Sequence, residues 1–548
     1  MATVTAPPST PTADGSARKS FTDFVPNFDL RTPDWLERWP IWLRFGGSIV
    51  FLMLVSLFLR SRYVGGQFWM DEALSVGISS HSLTSIPHVL RHDGSPPLYY
   101  MLLHIWMSVF GSSETATHWL SLLFGTLCVP AGAWVAWSLW GRRAGLIAAV
   151  LFALNPFITA YSQETRMYTL MALLGLLATA GFIHGFVFRR RRFLILFAVC
   201  QALMLYTHGW GIFFGVGATL AWALVWKLES DRAERRALLR DALLSFGAAA
   251  VLFLPWLPTL LYQVTHTGSP WDPTPNFGAP IQISRNLMGG DRATTALVLA
   301  AGVGLAVLFT RARRRTKDGV TMWVLIALPI GTLAFGWLVS RFSPAWQYRY
   351  FAPILAALLL LATFGMARAK GIGLIALALI VIFWFNPASY TPQYKSDMRD
   401  IAGEMAPRLH QGDLVVVGQP EQTPLAWYYL PGGLRFADTT GPSTDPQSMN
   451  WVHALKRLEN ANPQATLAPL IASLKPGQQI LFVRPMTEGA QSWEAPWTQY
   501  VRRRSAQWGA IFSSLAARGT LKPIWWAPHN YRGACCVADS AILYQKAA

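Results

Sequence analysis

Between residues 42 and 386 the chain is a succession of long apolar segments, and the breaks between them carry basic residues in clusters. These are Arg142-Arg143, Arg189 to Arg192, Lys227 to Arg240, Arg311 to Lys317, and Arg368 with Lys370. Segments of this kind satisfy their backbone polar groups in lipid only by coiling into helices. Lys and Arg are retained on the cytoplasmic face, so all five clusters are expected there. The apolar stretch between successive clusters is long enough for two crossings, each needing about 17 to 25 residues. About eleven spans result, near residues 42–60, 116–139, 144–160, 168–188, 193–208, 210–226, 242–260, 293–310, 320–340, 351–367 and 371–386. The fold class expected is therefore a polytopic α-helical membrane protein; 53% hydrophobic and 14% charged residues leave no room for a soluble one of this length. The formal charge of +18 then belongs to topology and lipid contact, and no nucleic-acid partner is expected.

Residues 1–40 are rich in Pro, Ser and Thr and lack an apolar signal core, which predicts a disordered N-terminus that stays cytoplasmic. The apolar run Leu98 to Phe110 is short for a crossing, and counting it as one would put Arg142-Arg143 outside. It is expected as a helix lying on the external surface, with the whole first loop, residues 61–115, outside. Cys128 and Cys200 read as small core residues, and the neighbours Cys535-Cys536 are poorly placed to bond to each other. No Cys/His cluster has the spacing of a structural metal site.

After Asn386-Pro387 the apolar character ends. The transmembrane part is thus set at 41–387, and 388–548 is expected as a small extracytoplasmic α/β domain. The runs Asp413 to Gly418 and Gln479 to Val483 read as buried strands, and Ser396 to Leu409 and Met449 to Leu458 as helices. This tail contains no catalytic motif.

With that topology the unusual polar clusters share one side. Asp71-Glu72, His92-Asp93, Tyr161 to Tyr168 with Glu164 and Arg166, His208, and Tyr348-Arg349-Tyr350 all fall at external ends of apolar segments. Acids are scarce here, and a pair where a span meets water is the strongest candidate for a reacting group. Transfer of a sugar from a lipid phosphate to a hydroxyl requires a carboxylate to take a proton and cations to stabilise the departing phosphate. Asp71 is the candidate base, with Glu72 holding the acceptor or raising the pair's proton affinity by like-charge repulsion. The plainer alternative is that Asp71 caps a helix from Ala73 to Leu90 while Glu72 favours its dipole. Arg166 and Arg349 are the phosphate candidates, against an interfacial ion pair for the first and snorkelling for the second. His92, Asp93, Tyr161, Glu164, Tyr168, His208, Tyr348 and Tyr350 are candidate substrate contacts, each with an interfacial alternative in the aromatic belt.

At these residues the chain resembles the lipid-phosphate-sugar-dependent glycosyltransferases of the C superfold, family 39, a group with protein O-mannosyltransferases and the aminoarabinose transferase of lipid A. The resemblance lies in Asp71-Glu72 in the first external loop, Pro96-Pro97-Leu98 opening the next helix, the Tyr161 to Tyr168 segment, and Arg349-Tyr350 at the end of a span. It covers residues 42 to about 386 and leaves the tail unmatched. It implies an inverting transfer from a polyprenyl-phosphate sugar to a glycan, lipid or protein acceptor in a bacterial inner membrane, with Asp71 as base. Members of the group differ in metal dependence, so it implies no cofactor beyond the donor and leaves a divalent metal open. The competing reading is a transporter or flippase of a polyprenyl-linked lipid. Transporters place ionisable groups near the midplane, whereas these spans are nearly free of acids and the polar motifs gather at one face. A receptor using the tail as sensor would leave the spans unexplained. The glycosyltransferase reading makes one geometric demand: Asp71, Arg166 and Arg349 must meet in a single pocket.

Overall fold

The structure, a computed structural model, describes residues 40–305, 315–385, 395–486, 495–527 and 539–547. The N-terminal segment up to residue 39, residues 311–314 of a basic cluster, the 386–394 boundary and Cys535-Cys536 lie outside the described residues.

Seventeen helices precede the tail: α1 Ile41–Ser61, α2 Met70–Ser79, α3 Ile86–Asp93, α4 Leu98–Phe110, α5 Glu114–Trp140, α6 Arg142–Leu154, α7 Pro156–Tyr161, α8 Tyr168–Phe182, α9 Arg192–Thr207, α10 Gly211–Leu228, α11 Arg232–Phe253, α12 Leu257–His266, α13 Ala279–Met288, α14 Asp291–Leu305, α15 Lys317–Ser340, α16 Ala352–Arg368 and α17 Lys370–Trp384. Within the described residues each expected span falls on one of these helices or on a broken pair; residues 306–310 of the span expected at 293–310 lie outside them. Among the described residues seven helical segments are long and apolar enough to cross a membrane, and Leu98–Phe110, Arg192–Thr207 and Lys370–Trp384 are shorter apolar helices. The chain is a multi-pass membrane protein.

The breaks have local causes. The stretch expected as one span at 144–160 stops at Asn155, whose Oδ1 accepts from the Ile158 amide at 3.0 Å and restarts the chain as α7 with Pro156 in its first turn. Pro255 interrupts the next long helix in the same way, so α11 passes through a 3₁₀ turn, Leu254–Trp256, into α12. The helix expected from Ala73 to Leu90 is two helices. A Ser/Thr-rich turn, tied by a 2.7 Å Ser82–Ser85 hydroxyl contact, ends the first, and Pro87 fits only the opening turn of the second. In the tail, the helix expected at Met449 begins only at Ala454, because His453 takes a left-handed conformation (φ 49°).

Helix packing uses small residues to bring backbones together, as lipid-embedded bundles do. The tightest case joins α14 to α16, where a Cβ on Gly365 would lie 1.7 Å from the Ala300 carbonyl oxygen. Gly365→Ala is accordingly expected to cost about 1 to 3 kcal/mol, read as a lower unfolding temperature in detergent; an unshifted melt would contradict the packing.

Residues of different basic clusters meet partners from neighbouring helix ends: Arg189 pairs with Glu234 at 3.1 Å and Asp241 at 3.2 Å, Arg368 meets Asp318, and Arg143 donates to the Lys370 carbonyl.

The tail adds helices α18 Met398–Met405, α19 Thr423–Tyr429, α20 Ala454–Asn460, α21 Pro463–Ala472 and α22 Pro496–Ala517, and strands β1 Leu414–Val417, β2 Arg435–Asp438, β3 Gly441–Ser443, β4 Gln479–Pro485, β5 Leu521–Trp526 and β6 Asp539–Lys546. The strands form one sheet in the order β3-β2-β1-β4-β6-β5, with β1 parallel to both β2 and β4 and the remaining pairs antiparallel. Alternate side chains of β1 and β4 serve two cores. Leu414, Val416, Ile480 and Phe482 pack with Ile471, Trp508 and Phe512. Val415, Val417, Leu481 and Val483 pack with α18 and α19 and also with Phe68, Ala73 and Val76 of the α2 region. One face of the tail sheet thus shares its core with the helix that begins at the acidic pair.

Candidate active site

Helix α2 divides its surface three ways. Ala73 and Val76 face the tail core, Leu74 and Ile78 face the bundle core, and Asp71 and Ser75, four apart, face Arg166. Asp71 sits in the first helical turn, where a carboxylate is favoured by the dipole. Its Oδ2 lies 3.7 Å from Arg166 NH2 and 3.6 Å from Arg349 NH2. The two guanidinium groups come from different parts of the chain. Arg166 lies in the loop before α8 and is fixed by donating to the Asp71 carbonyl at 3.2 Å and to Ser75 Oγ at 3.1 Å. Arg349 lies in the 3₁₀ turn Tyr348–Phe351 before α16, beside the rings of Trp69 at 5.3 Å and Tyr350 at 5.6 Å. Nε of each arginine is buried without a hydrogen-bond partner among the described residues.

Asp71, Arg166 and Arg349 line one cavity of about 430 Å³. Asp93, His208 and Tyr350 share its wall. Burial raises the Asp93 carboxyl to about 6. Away from these groups the wall becomes apolar, through Ile212, Phe213, Leu260 and Val264. Ile212 and Leu260 also line a second cavity of about 400 Å³, an almost wholly apolar groove between α9, α10, α11 and α12.

The remaining sequence candidates lie elsewhere. Glu72 does not reach the cavity. Its fully buried carboxylate meets His118 Nε2 at 2.6 Å, Lys395 Nζ at 3.0 Å, the Thr165 amide at 2.9 Å and the Trp69 amide at 3.2 Å. Burial opposes its charge, yet Lys395 and then His118 hold the carboxyl down to about 2. Glu72, not Asp71, closes the capping box of α2. The expectation that it holds an acceptor or raises the proton affinity of its neighbour is therefore corrected: it anchors α2. His92 is also displaced from the site, because α3 turns it toward His88 and Tyr262 and a separate polar pocket. Tyr161 is buried against Phe157, Tyr168 and Tyr348, so Tyr161 and Tyr348 form a packing layer off the cavity wall. Tyr168 stands behind Arg166, its ring 5.8 Å from the guanidinium carbon. Glu164 lies off the wall as well, its carboxyl raised by burial to about 7.

Sequence reasoning missed Lys395, His118 and Thr165, which hold Glu72, and Gln419, Glu421 and Trp497, which reach the cavity from the tail. A buried acid demands a partner, and that demand is the signal by which His118, in the opening turns of α5, could have been found. Lys395 carried no local pattern. Among the described residues no group of three or more His, Cys, Asp or Glu side chains is arranged to hold a metal ion.

No family model matches the chain, and no curated protein matches it in sequence. Solved structures do match in fold. ArnT from Cupriavidus metallidurans in the apo state superposes with a TM-score of 0.59 at 14% identity, over 91% of this chain and 98% of that one. The same protein bound to undecaprenyl phosphate gives 0.57 at 14% identity, with the same coverage. The oligosaccharyltransferase AglB from Archaeoglobus fulgidus, in complex with an inhibitory peptide and a dolichol-phosphate, gives 0.52 at 12% identity, over 80% of this chain and 70% of that one. The chain shares the fold of these structures, the C superfold.

Proposed function

We propose that this protein is a membrane glycosyltransferase of that superfold, moving a sugar from a polyprenyl-phosphate donor to a hydroxyl of a cell-envelope acceptor on the extracytoplasmic side of a bacterial inner membrane. The observation that carries the reading is the carboxylate of Asp71 between two arginines on the wall of a cavity that shares Ile212 and Leu260 with an apolar groove. The likeness to structures holding undecaprenyl phosphate and dolichol-phosphate supports the same donor class. The groove suits the polyprenyl chain, since its lining offers a lipid tail the apolar surface it leaves in the bilayer. The phosphate then falls beside Arg166 and Arg349, whose separations from Asp71 exceed a good hydrogen bond and whose Nε groups lack partners among the described residues.

In the transfer step the acceptor oxygen attacks the anomeric carbon from the side opposite the phosphate. A carbon–oxygen bond to the acceptor forms as the bond to the phosphate oxygen breaks, which inverts the configuration. The hydroxyl proton passes to Asp71, and the electron pair leaves with polyprenyl phosphate, whose charge the two guanidinium groups meet. A donor phosphate also competes with Asp71 for those cations and frees the carboxylate for the hydroxyl.

Arg166→Ala and Arg349→Ala are each expected to weaken undecaprenyl phosphate binding by about 10- to 150-fold, the equivalent of one charge-assisted hydrogen bond lost. Titration of the purified protein in nanodiscs measures this, and unchanged affinity in both variants would reject the phosphate role.

A further inference from the structure

The tail reaches the cavity through a small group of residues to which nothing above gives a role. Gln419 and Glu421 follow β1 directly, at the carboxyl end of the central parallel strands, where the chain turns to opposite sides to make β2 and β4. In open parallel sheets such crevices hold ligands. Here the crevice opens onto the wall that also carries Asp71. Glu421 Oε1 accepts from Trp497 Nε1 at 2.7 Å and from Gln419 Nε2 at 2.6 Å. Its other oxygen, Oε2, and Gln419 Oε1 have no partner among the described residues. Both side chains are more than nine-tenths buried, at 8% and 3% exposure, so each keeps a buried polar atom without a partner among the described residues beside the cavity, a desolvation cost that a bound hydroxyl can offset. Beside them Trp451 and Trp497 border the cavity with ring centroids 5.0 Å apart, and Trp271 continues the row at 4.4 Å from Trp451.

We propose that this group is the acceptor subsite, and that it is built for an uncharged, hydroxyl-rich acceptor: a neutral glycan whose terminal sugar hydrogen-bonds Gln419 and Glu421, lies against Trp451 and Trp497, and turns one hydroxyl toward Asp71. The inference rests on the glycosyltransferase reading above and adds the identity of the second substrate. Paired amide and carboxyl oxygens beside indoles are the chemistry that recognises a sugar, which presents hydroxyls at its rim and C–H groups on its faces. The charge pattern selects against an anion. Both cavity-lining arginines face Asp71, on the side assigned to the donor phosphate, while Gln419, Glu421, Trp451 and Trp497 bring no cation to the wall around the acceptor. A phosphorylated acceptor would meet no free cation among the described residues of that wall. Burial lifts the Glu421 carboxyl to about 7, which lets it offer a proton to a sugar hydroxyl near neutral pH.

The test uses the full-length protein in nanodiscs, with tryptophan fluorescence as readout and a panel of neutral methyl hexosides and pentosides as probes. At least one is expected to saturate with a millimolar Kd. Glu421→Ala and Gln419→Ala should each weaken it at least fivefold, and Glu421→Gln, which keeps a donor, should retain most of the affinity. Mannose 6-phosphate and glucose 6-phosphate should bind at least tenfold more weakly than the best neutral probe. Undecaprenyl phosphate should bind all variants as it binds the wild type, which also shows that they fold. Saturable binding by no neutral glycoside, preference for a sugar phosphate, or Ala variants that bind like wild type would overturn the proposal. Failure of the wild type to bind undecaprenyl phosphate would strike the donor reading instead, a result distinguishable from all three.

Discussion

Asp71→Asn should abolish sugar transfer, lowering turnover by about two to four orders of magnitude, the usual span for removing a positioned general base. The substitution keeps the shape and leaves both guanidinium groups in place, so donor-lipid binding should survive. Asparagine cannot accept a proton at neutral pH, and the loss should therefore appear in turnover and not in affinity. Radiolabelled sugar passed from membrane-extracted polyprenyl phosphates to envelope material measures the first, and undecaprenyl phosphate titration the second. Turnover within a factor of a few of wild type would remove Asp71 from the role of base. A parallel loss of phosphate binding would mean that the carboxylate organises the arginines and does no more.

Glu72→Ala is expected to destabilise the fold by about 3 to 5 kcal/mol, because it leaves the nearly buried Lys395 ammonium without its counter-charge. Thermal unfolding in detergent reports it, and a shift equivalent to less than about 1 kcal/mol, the scale of an exposed pair, would contradict the assignment. The double variant Glu72→Gln with Lys395→Met should recover part of the loss, since neither partner is then left charged and alone. A pH dependence accompanies the pair. Lys395 and His118 hold the Glu72 carboxyl down to about 2 in the folded protein, against an ordinary value of 4.5. The stability it contributes is complete above about 4.5 and drains away as pH falls toward about 2. Wild type should soften across that window, and the Glu72→Ala variant should lack this component. Activity should fall with stability, because α2 carries Asp71 and Glu72 is one of its anchors.

Much of the architecture was legible because apolar length and basic punctuation are strong, local signals. Within the described residues the expected spans land on helices, seven of them long and apolar enough to cross a membrane, and the tail strands 413–418 and 479–483 fall on β1 and β4. What failed was finer. Asn155-Pro156 and Pro255 broke expected spans, and Pro87 divided an expected amphipathic helix, because capping and proline geometry act within a single turn while hydrophobicity is averaged over many residues. At the site, Asp71, Arg166 and Arg349 do converge, and scarcity was the clue: each is an ionisable group where few are tolerated. Glu72 was misread because adjacency in sequence suggested a shared role, whereas neighbouring side chains on a helix point about 100° apart. Gln419, Glu421 and Trp497 were invisible, since a soluble-looking tail gives no sign of which loops face the bundle.

The anchoring of Glu72 also bears on how the protein is made. Lys395 follows Glu72 by 323 positions, and ribosomes add about 5 to 20 residues per second, so the acid waits roughly 15 to 65 seconds for its cation. During that interval the helix bearing Asp71 has neither the ammonium nor the hydrophobic cover of β1 and β4. A nascent chain truncated before residue 395 can thread its spans into the bilayer yet leave the reaction centre unassembled. The proposed reaction centre is in this way completed only after the tail has been translated and docked.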